Sequence, residues 1–243
     1  MRTQHTHRLA VFFFAIVLFS SCKKDETPEY IIERGTVTDV EGNVYQTVKI
    51  GNQWWMAENL IVAHFNDGSA IGDEINLGAG ADLEWASATA PAYCIDAAVG
   101  TLYNSYVVTS EKNIAPAGWH VPTDEEWKEL ERTIGMTAEE LNYTGWRGTV
   151  EGNALASKNR EGWGASSSDS DLYGTDYFGF NAIPAGVRGH DGRTNTKRNS
   201  VWWWSKSTVE AEVYYRSMDS FHTEIFRHST YPTYGMSIRC IKD

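Results

Sequence analysis

Five tryptophans, Trp54, Trp55, Trp202, Trp203 and Trp204, are the residues of this chain best suited to contact chemistry. An indole face stacks on the apolar C–H face of a sugar ring, and aromatic side chains dominate many binding surfaces. Along an extended strand, Val201 and Trp203 point to one side and Trp202 and Trp204 to the other. One side enters a core. The other is covered by loops or stands as a platform of rings, so packing competes with binding at each position. Asp169, Asp171 and Asp176 offer oxygen ligands of the kind calcium prefers. Their spacing does not match the twelve-residue calcium loop, and a solvated acidic loop is the competing reading. Glu58 follows an aromatic pair, where it is expected to be buried against an Arg or Lys. His120 precedes a helix start, where a structural hydrogen bond is expected. No His-Glu-x-x-His pattern, no zinc spacing and no Gly-x-Ser-x-Gly elbow occurs, and no cofactor motif is present. The sequence therefore points first to a non-catalytic binding module, with an enzyme of unrecognised site and a structural component of a surface assembly as the alternatives, and with calcium the one ion considered.

Cys22 has a different chemistry. Arg2 and Arg8 precede a continuous apolar run from Leu9 to Phe19, and Ser20, Ser21 and Cys22 follow. The run is too short to cross a bilayer, which takes about 20 residues. A basic start, an apolar stretch and a small-residue cleavage site read as a secretory signal over residues 1–21. The placing of Cys22 resembles the lipobox of a bacterial lipoprotein, with the cysteine as acylated mature N-terminus. Residues 22–34 then form a tether and residues 35–243 one domain. The acidic pair Asp25-Glu26 resembles the export signal that sends lipoproteins of the Bacteroidota to the outer face of the cell, which implies an outer-membrane, surface-exposed protein.

The chain has a formal net charge of −11, and losing residues 1–21 removes Arg2 and Arg8 but no acid. Such a body is a poor partner for nucleic acid or anionic lipid head groups. Membrane attachment is expected through lipid alone, leaving a glycan or an extracellular protein as ligand. Cys94 and Cys240 remain after lipidation. In an oxidising compartment they form a possible disulfide, with a buried free pair as the alternative.

The positioning elements follow from local pattern. Thr36–Asp39 and Val44–Ile50, joined through Glu41-Gly42-Asn43, predict a hairpin with Val44, Val48 and Ile50 on one face. Thr123 and Glu126 have capping-box spacing before the stripe Trp127, Leu130 and Ile134, and Gly135 stops the helix. Thr137 and Glu140 repeat the spacing, and Ala154–Lys158 forms another short helix. Phe180–Val187, where Pro184 implies an edge or a bulge, Val201–Trp204, Glu212–Arg216 and Met236–Ile241 read as strands, with a turn at His190-Asp191-Gly192. Strands, then helices, then strands make an α+β plan.

Several strings carry a resemblance: Gly35–Asp39, Val48–Leu60 with its Gly-Asn-Gln-Trp-Trp-Met, Pro116–Trp127 with its Gly-Trp-His-Val-Pro-Thr, Val201–Ser205 and Gly235–Cys240. Together they resemble the Fibrobacter succinogenes major paralogous domain, found on secreted or lipid-anchored proteins and largely without an assigned biochemical role. More distantly the chain is similar to the C-type-lectin-like fold shared with formylglycine-generating enzymes. That resemblance implies a single domain of short antiparallel strands, one or two helices and long loops, with first and last strands side by side. Those enzymes hold copper with a cysteine pair, and here only Cys94 and Cys240 are available. Cys240 falls in the closing-strand motif. Ala115 stands where cysteine often precedes the Pro-x-Gly-Trp-His string, which makes Cys94 the remaining candidate partner.

Overall fold

The computed structural model describes residues 31–78, 80–96, 100–158, 163, 174–195 and 199–243. Cys22, the signal segment, Asp169 and Asp171 lie outside the described residues. In chain order the elements are β1 (Arg34–Thr38), β2 (Val44–Ile50), β3 (Gln53–Met56), β4 (Asp73–Glu74), α1 (Ala81–Ala86), β5 (Ala92–Asp96), β6 (Gly100–Tyr103), α2 (Ser105–Val108), β7 (Trp119–His120) and α3 (Asp124–Thr133). Then come β8 (Gly145–Arg147), α4 (Glu151–Leu155), β9 (Val187–Arg188), β10 (Thr194–Asn195), β11 (Ser200–Val209), β12 (Glu212–Asp219), β13 (Ile225–Thr230) and β14 (Ile241–Lys242). Small, mostly antiparallel sheets with few helices make this an α+β architecture.

One sheet runs β1-β2-β3-β14-β7 and carries core on both faces. The β1–β2 hairpin turns where Asp39 accepts hydrogen bonds from the backbone N–H of Glu41 and Asn43, both at 2.9 Å. Tyr45 and Met56 face one apolar cluster; Val48, Ile50 and Trp55 face another. Val44, expected beside Val48, instead stands exposed at the start of β2, beyond the edge of the core. Trp55 meets Trp127 of α3 with ring centroids 4.8 Å apart. Burying side chains of this size contributes on the order of 1.5–3 kcal/mol each before ordering entropy is counted.

The helix starts where the Thr123/Glu126 spacing predicts. Thr123 Oγ1 accepts from the Glu126 N–H at 3.2 Å, and Glu126 Oε2 accepts from the Thr123 N–H at 2.7 Å. Thr137 and Glu140 pair in the same way ahead of a single 3-10 turn at Glu140–Asn142. The expected helix at Ala154–Lys158 lies earlier, as α4.

Two strand expectations are corrected. Within Phe180–Val187 only isolated bridges at Ala182 and Gly186 precede β9, because Pro184 has no N–H to donate and Asn181 adopts φ 53°. Met236 and Ser237 make single bridges to Tyr103 and Trp203, and regular pairing is confined to β14. The last strand pairs with β3 through Ile241 and Trp55 and with β7, not with β1, so first and last strands are separated in the sheet.

The second main sheet runs β11-β12-β13-β8. Helix α3 lies on its inner face, fixed by buried charge. Glu131 takes Arg147 bidentately, at 2.8 and 3.0 Å, and Arg216 Nε at 2.6 Å. Asp124 takes Arg227 through both carboxylate oxygens, at 2.7 and 2.9 Å, and Arg216 at 2.8 Å. Burial opposes the Asp124 charge, but the two guanidinium groups outweigh it and hold its pKa well below the usual carboxylate range.

The disulfide expectation is corrected. Cys94 and Cys240 are both free and buried, and they belong to different apolar clusters. Cys240 packs among side chains such as Trp204 and Tyr103, while Cys94 packs beside Trp85 and Leu102 under α1.

An aromatic groove as candidate functional site

The inner arginines dictate what the other face of the same sheet displays. Side chains alternate along a strand, so each inward arginine puts its predecessor outward. The predecessors are aromatic: Trp146 before Arg147, Tyr215 before Arg216, Phe226 before Arg227. Strand register lines up Trp202, Ser217, Phe226 and Trp146 in one row across all four strands. Ser217 is the small member. It sets a floor between two walls of rings, and a cavity of about 300 Å³ opens above it.

The rings are locked to one another. Trp202 stacks on Tyr215 with centroids 4.8 Å apart and 17° between planes. Trp146 meets Phe226 edge-on at 5.0 Å. On the far side of Trp146, His222 lies parallel at 3.8 Å, and its Nδ1 is 2.8 Å from Asp219 Oδ1. Asp219 lines the groove together with Asn199 and Ser200. The Asp219 Oδ1 also accepts from the Phe221 N–H at 2.9 Å. A half-open apolar trough with polar groups at one end is the usual form of a small-molecule site.

A second concavity of about 490 Å³ lies between β2, the segment after β3, and β6. Glu58 lines it, and among the described residues it forms no ion pair with Arg or Lys; the expected buried pair is replaced by a 2.5 Å hydrogen bond accepted from the Gln46 N–H. Asn59 lines it too and is fully employed behind the surface, accepting from Trp203 Nε1 at 2.9 Å and from Arg239.

A family model described as the Fibrobacter succinogenes major domain matches residues 48–242 of this chain. The chain belongs to that family. No curated protein and no solved structure matches it significantly. The matched stretch of the Fibrobacter major domain contains the whole β11-β12-β13-β8 sheet and therefore the groove.

Of the five tryptophans singled out by sequence, this domain places only Trp202 in the groove. Trp55, Trp203 and Trp204 are at most 1% exposed and are corrected to core residues. Trp204 shares a face with Trp202, but β6 and α2 cover that end, and its Nε1 donates to the Tyr103 carbonyl at 2.7 Å. Trp54 is half-buried on β3 and lies over Gly35, away from the groove. Sequence reasoning missed Trp146, Tyr215, Phe226 and Asp219. The three aromatic-arginine dipeptides were the available signal. They went unread because arginine is expected outward and the ring inward.

The remaining candidates have structural partners. Asp176 accepts from the Asn181 N–H at 2.7 Å, and its neighbouring charges are the cations Arg34, Lys158 and Arg239. Among the described residues, no group of three His, Cys, Asp or Glu side chains could hold a metal ion. His120 is held through both ring nitrogens, by Glu126 at 2.7 Å and Asp243 at 2.6 Å. Both ring nitrogens are thus engaged in hydrogen bonds of the structural kind expected of it.

Proposed function

We propose that this protein is a lipid-anchored, envelope-exposed, non-catalytic binding module whose ligand is a polysaccharide lying in the groove of Trp146, Trp202, Tyr215 and Phe226. The observation that carries the reading is the open aromatic row itself. Trp146, Trp202 and Phe226 stand half-exposed beside a buried Tyr215, and a protein of this size normally buries or scatters such rings. Here they are aligned by register, braced by mutual stacking, and set around a serine floor that leaves room for a ring-shaped guest. Binding of this kind requires no metal. The anchor at Cys22 and the C-type-lectin-like fold belong to the same proposal, supported by the lipobox-like Ser20-Ser21-Cys22 and by the Pro122–Trp127 and Arg239-Cys240 strings.

A glycan array probed with the mature protein tests the reading. Binding to at least one polysaccharide class is expected. It should fall about tenfold or more in Trp202→Ala and Phe226→Ala with the fold retained by circular dichroism, since loss of a ring anchor commonly costs more than 1 kcal/mol. Turnover of a bound glycan would replace the reading with an enzymatic one, and binding only to envelope proteins would replace it with a structural one. Intact-mass analysis of the mature chain should show acyl chains on an N-terminal Cys22; an unmodified chain starting elsewhere removes the anchor from the proposal.

A further inference from the structure

Resting on the groove reading, we infer that the groove selects neutral saccharides over acidic ones, with Asp219 as the specificity-determining residue. Three observations lead there. Asp219 is the only charged side chain among the described residues lining the groove. Its two donors among the described residues, Phe221 N–H and His222 Nδ1, converge on Oδ1, so Oδ2 keeps its acceptor capacity for a guest. His222 approaches from the Oδ1 side, with its ring parallel to Trp146 at 3.8 Å.

The polar end of the groove is therefore rich in acceptors. A carboxylate oxygen with a free lone pair takes hydroxyl hydrogens in short, charge-assisted hydrogen bonds. Every sugar hydroxyl supplies such a hydrogen. A uronic acid brings a second carboxylate to the same end, where it meets Asp219 with no described cation lining the groove to separate them. Like charges brought together in a partly desolvated site cost enough to reject a ligand. The net charge of −11 for the whole chain acts in the same direction at longer range.

The test is a matched comparison by calorimetry on the mature protein. The probes are neutral hexasaccharides, cellohexaose and mannohexaose, each against the same hexamer with its C6 hydroxymethyl groups oxidised to carboxylates. The variants are Asp219→Asn, Trp202→Ala and Ser217→Leu, which fills the floor of the groove; circular dichroism and melting temperature establish that each is folded. The expected result is a neutral-over-acidic preference of about tenfold or more. Asp219→Asn should weaken the neutral hexamer severalfold and erase most of the preference, while Trp202→Ala and Ser217→Leu abolish binding of both. Equal or stronger binding of the acidic hexamer, or a preference that survives Asp219→Asn, overturns the inference while leaving the groove reading standing. If neither kind of hexamer binds, or if binding ignores both Trp202→Ala and Ser217→Leu, the groove reading falls and takes this inference with it.

Discussion

His120 is a clamp between two carboxylates, and its charge makes it pH-sensitive. Burial works against the imidazolium, but its hydrogen bonds to Asp243 and Glu126 outweigh burial and raise its pKa above the ordinary 6.5. Burial likewise opposes the Glu126 carboxylate, and bonds from Thr123 and His120 overcome it and lower its pKa below 4.5. A raised histidine contributes stability that is complete below its unfolded pKa and is lost as pH climbs through the folded value. A lowered carboxylate contributes stability present above its unfolded pKa and lost as pH falls through the folded one. The clamp is thus fully formed between about pH 5 and 6.5. His120→Gln should cost about 0.5–1 kcal/mol at pH 6, discounted for partial exposure, and progressively less by pH 9. Urea unfolding of both proteins at the two pH values measures this; a pH-independent difference would mean that the imidazolium contributes nothing. Arg239 is a harder case. It is fully buried, and its fork reaches Asn59 Oδ1 at 2.9 and 3.2 Å and the Phe180 carbonyl at 2.5 Å. Its guanidinium lies 4.3 Å over the Phe180 ring. Burial pulls its pKa down to about 9, against the more distant carboxylates of Asp176 and Glu58, and among the described residues none forms an ion pair with it. Lysine carries the charge but not the planar fork, so Arg239→Lys should lose on the order of 1–3 kcal/mol in the same assay.

At the scale of elements, α3 does two jobs. Its capping box fixes where it starts, and Thr123→Ala should lower stability by about 0.5–2 kcal/mol with an unchanged denaturant slope. An unaltered midpoint would show that Glu126 and His120 hold the helix end without the threonine hydroxyl. Its other job is to give the sheet an anionic surface to face. Glu131 and Asp124 hold Arg147, Arg216 and Arg227 inward, and that inversion puts Trp146, Tyr215 and Phe226 on the opposite face, where Tyr215 is buried and the other two are half-buried. Removing one partner from a buried pair strands the others without compensation. Glu131→Gln should therefore cost about 3–5 kcal/mol and, where the protein still folds, loosen the row of rings. Near-ultraviolet circular dichroism should then lose intensity, and ligand binding should drop further than the stability loss at working temperature explains.

Taken whole, the molecule is held by packing rather than by cross-links. Burial raises the pKa of both thiols, that of Cys240 most strongly, so neither is reactive in the native state. Titration with a thiol reagent should find no reactive cysteine in the native domain. In the chain unfolded without reductant it should find Cys94 and Cys240 both free. A bridge recovered by mapping from the unreduced protein would overturn this. Such a bridge would have stabilised by restricting the unfolded chain; here the equivalent stabilisation comes from rings such as Trp55, Trp85, Trp127, Trp203 and Trp204, all below 2% exposure.

The sequence by itself determined the locally encoded parts. The Thr123/Glu126 box and the His190-Asp191-Gly192 turn arise from side chains that bond backbone within a few residues, so spacing alone suffices to read them; the Glu41-Gly42-Asn43 turn was legible too, but its Asp39 cap was not. Family membership was legible for a similar reason: strings such as Val48–Leu60 and Pro116–Trp127 are long and contiguous. The groove was not, because no contiguous string contains it. Trp146, Trp202, Ser217 and Phe226 are brought into one row by the register of four strands drawn from distant parts of the chain. Which face of those strands takes the arginines was decided by Glu131 and Asp124 on a helix that the strand sequences do not mention. Period-two alternation reports that two faces differ; only the partner element says which one is inside. The same rule separates Trp202 from Trp204, identical in type and orientation along β11, one left open and one covered because α2 and β6 cross only one end of the sheet.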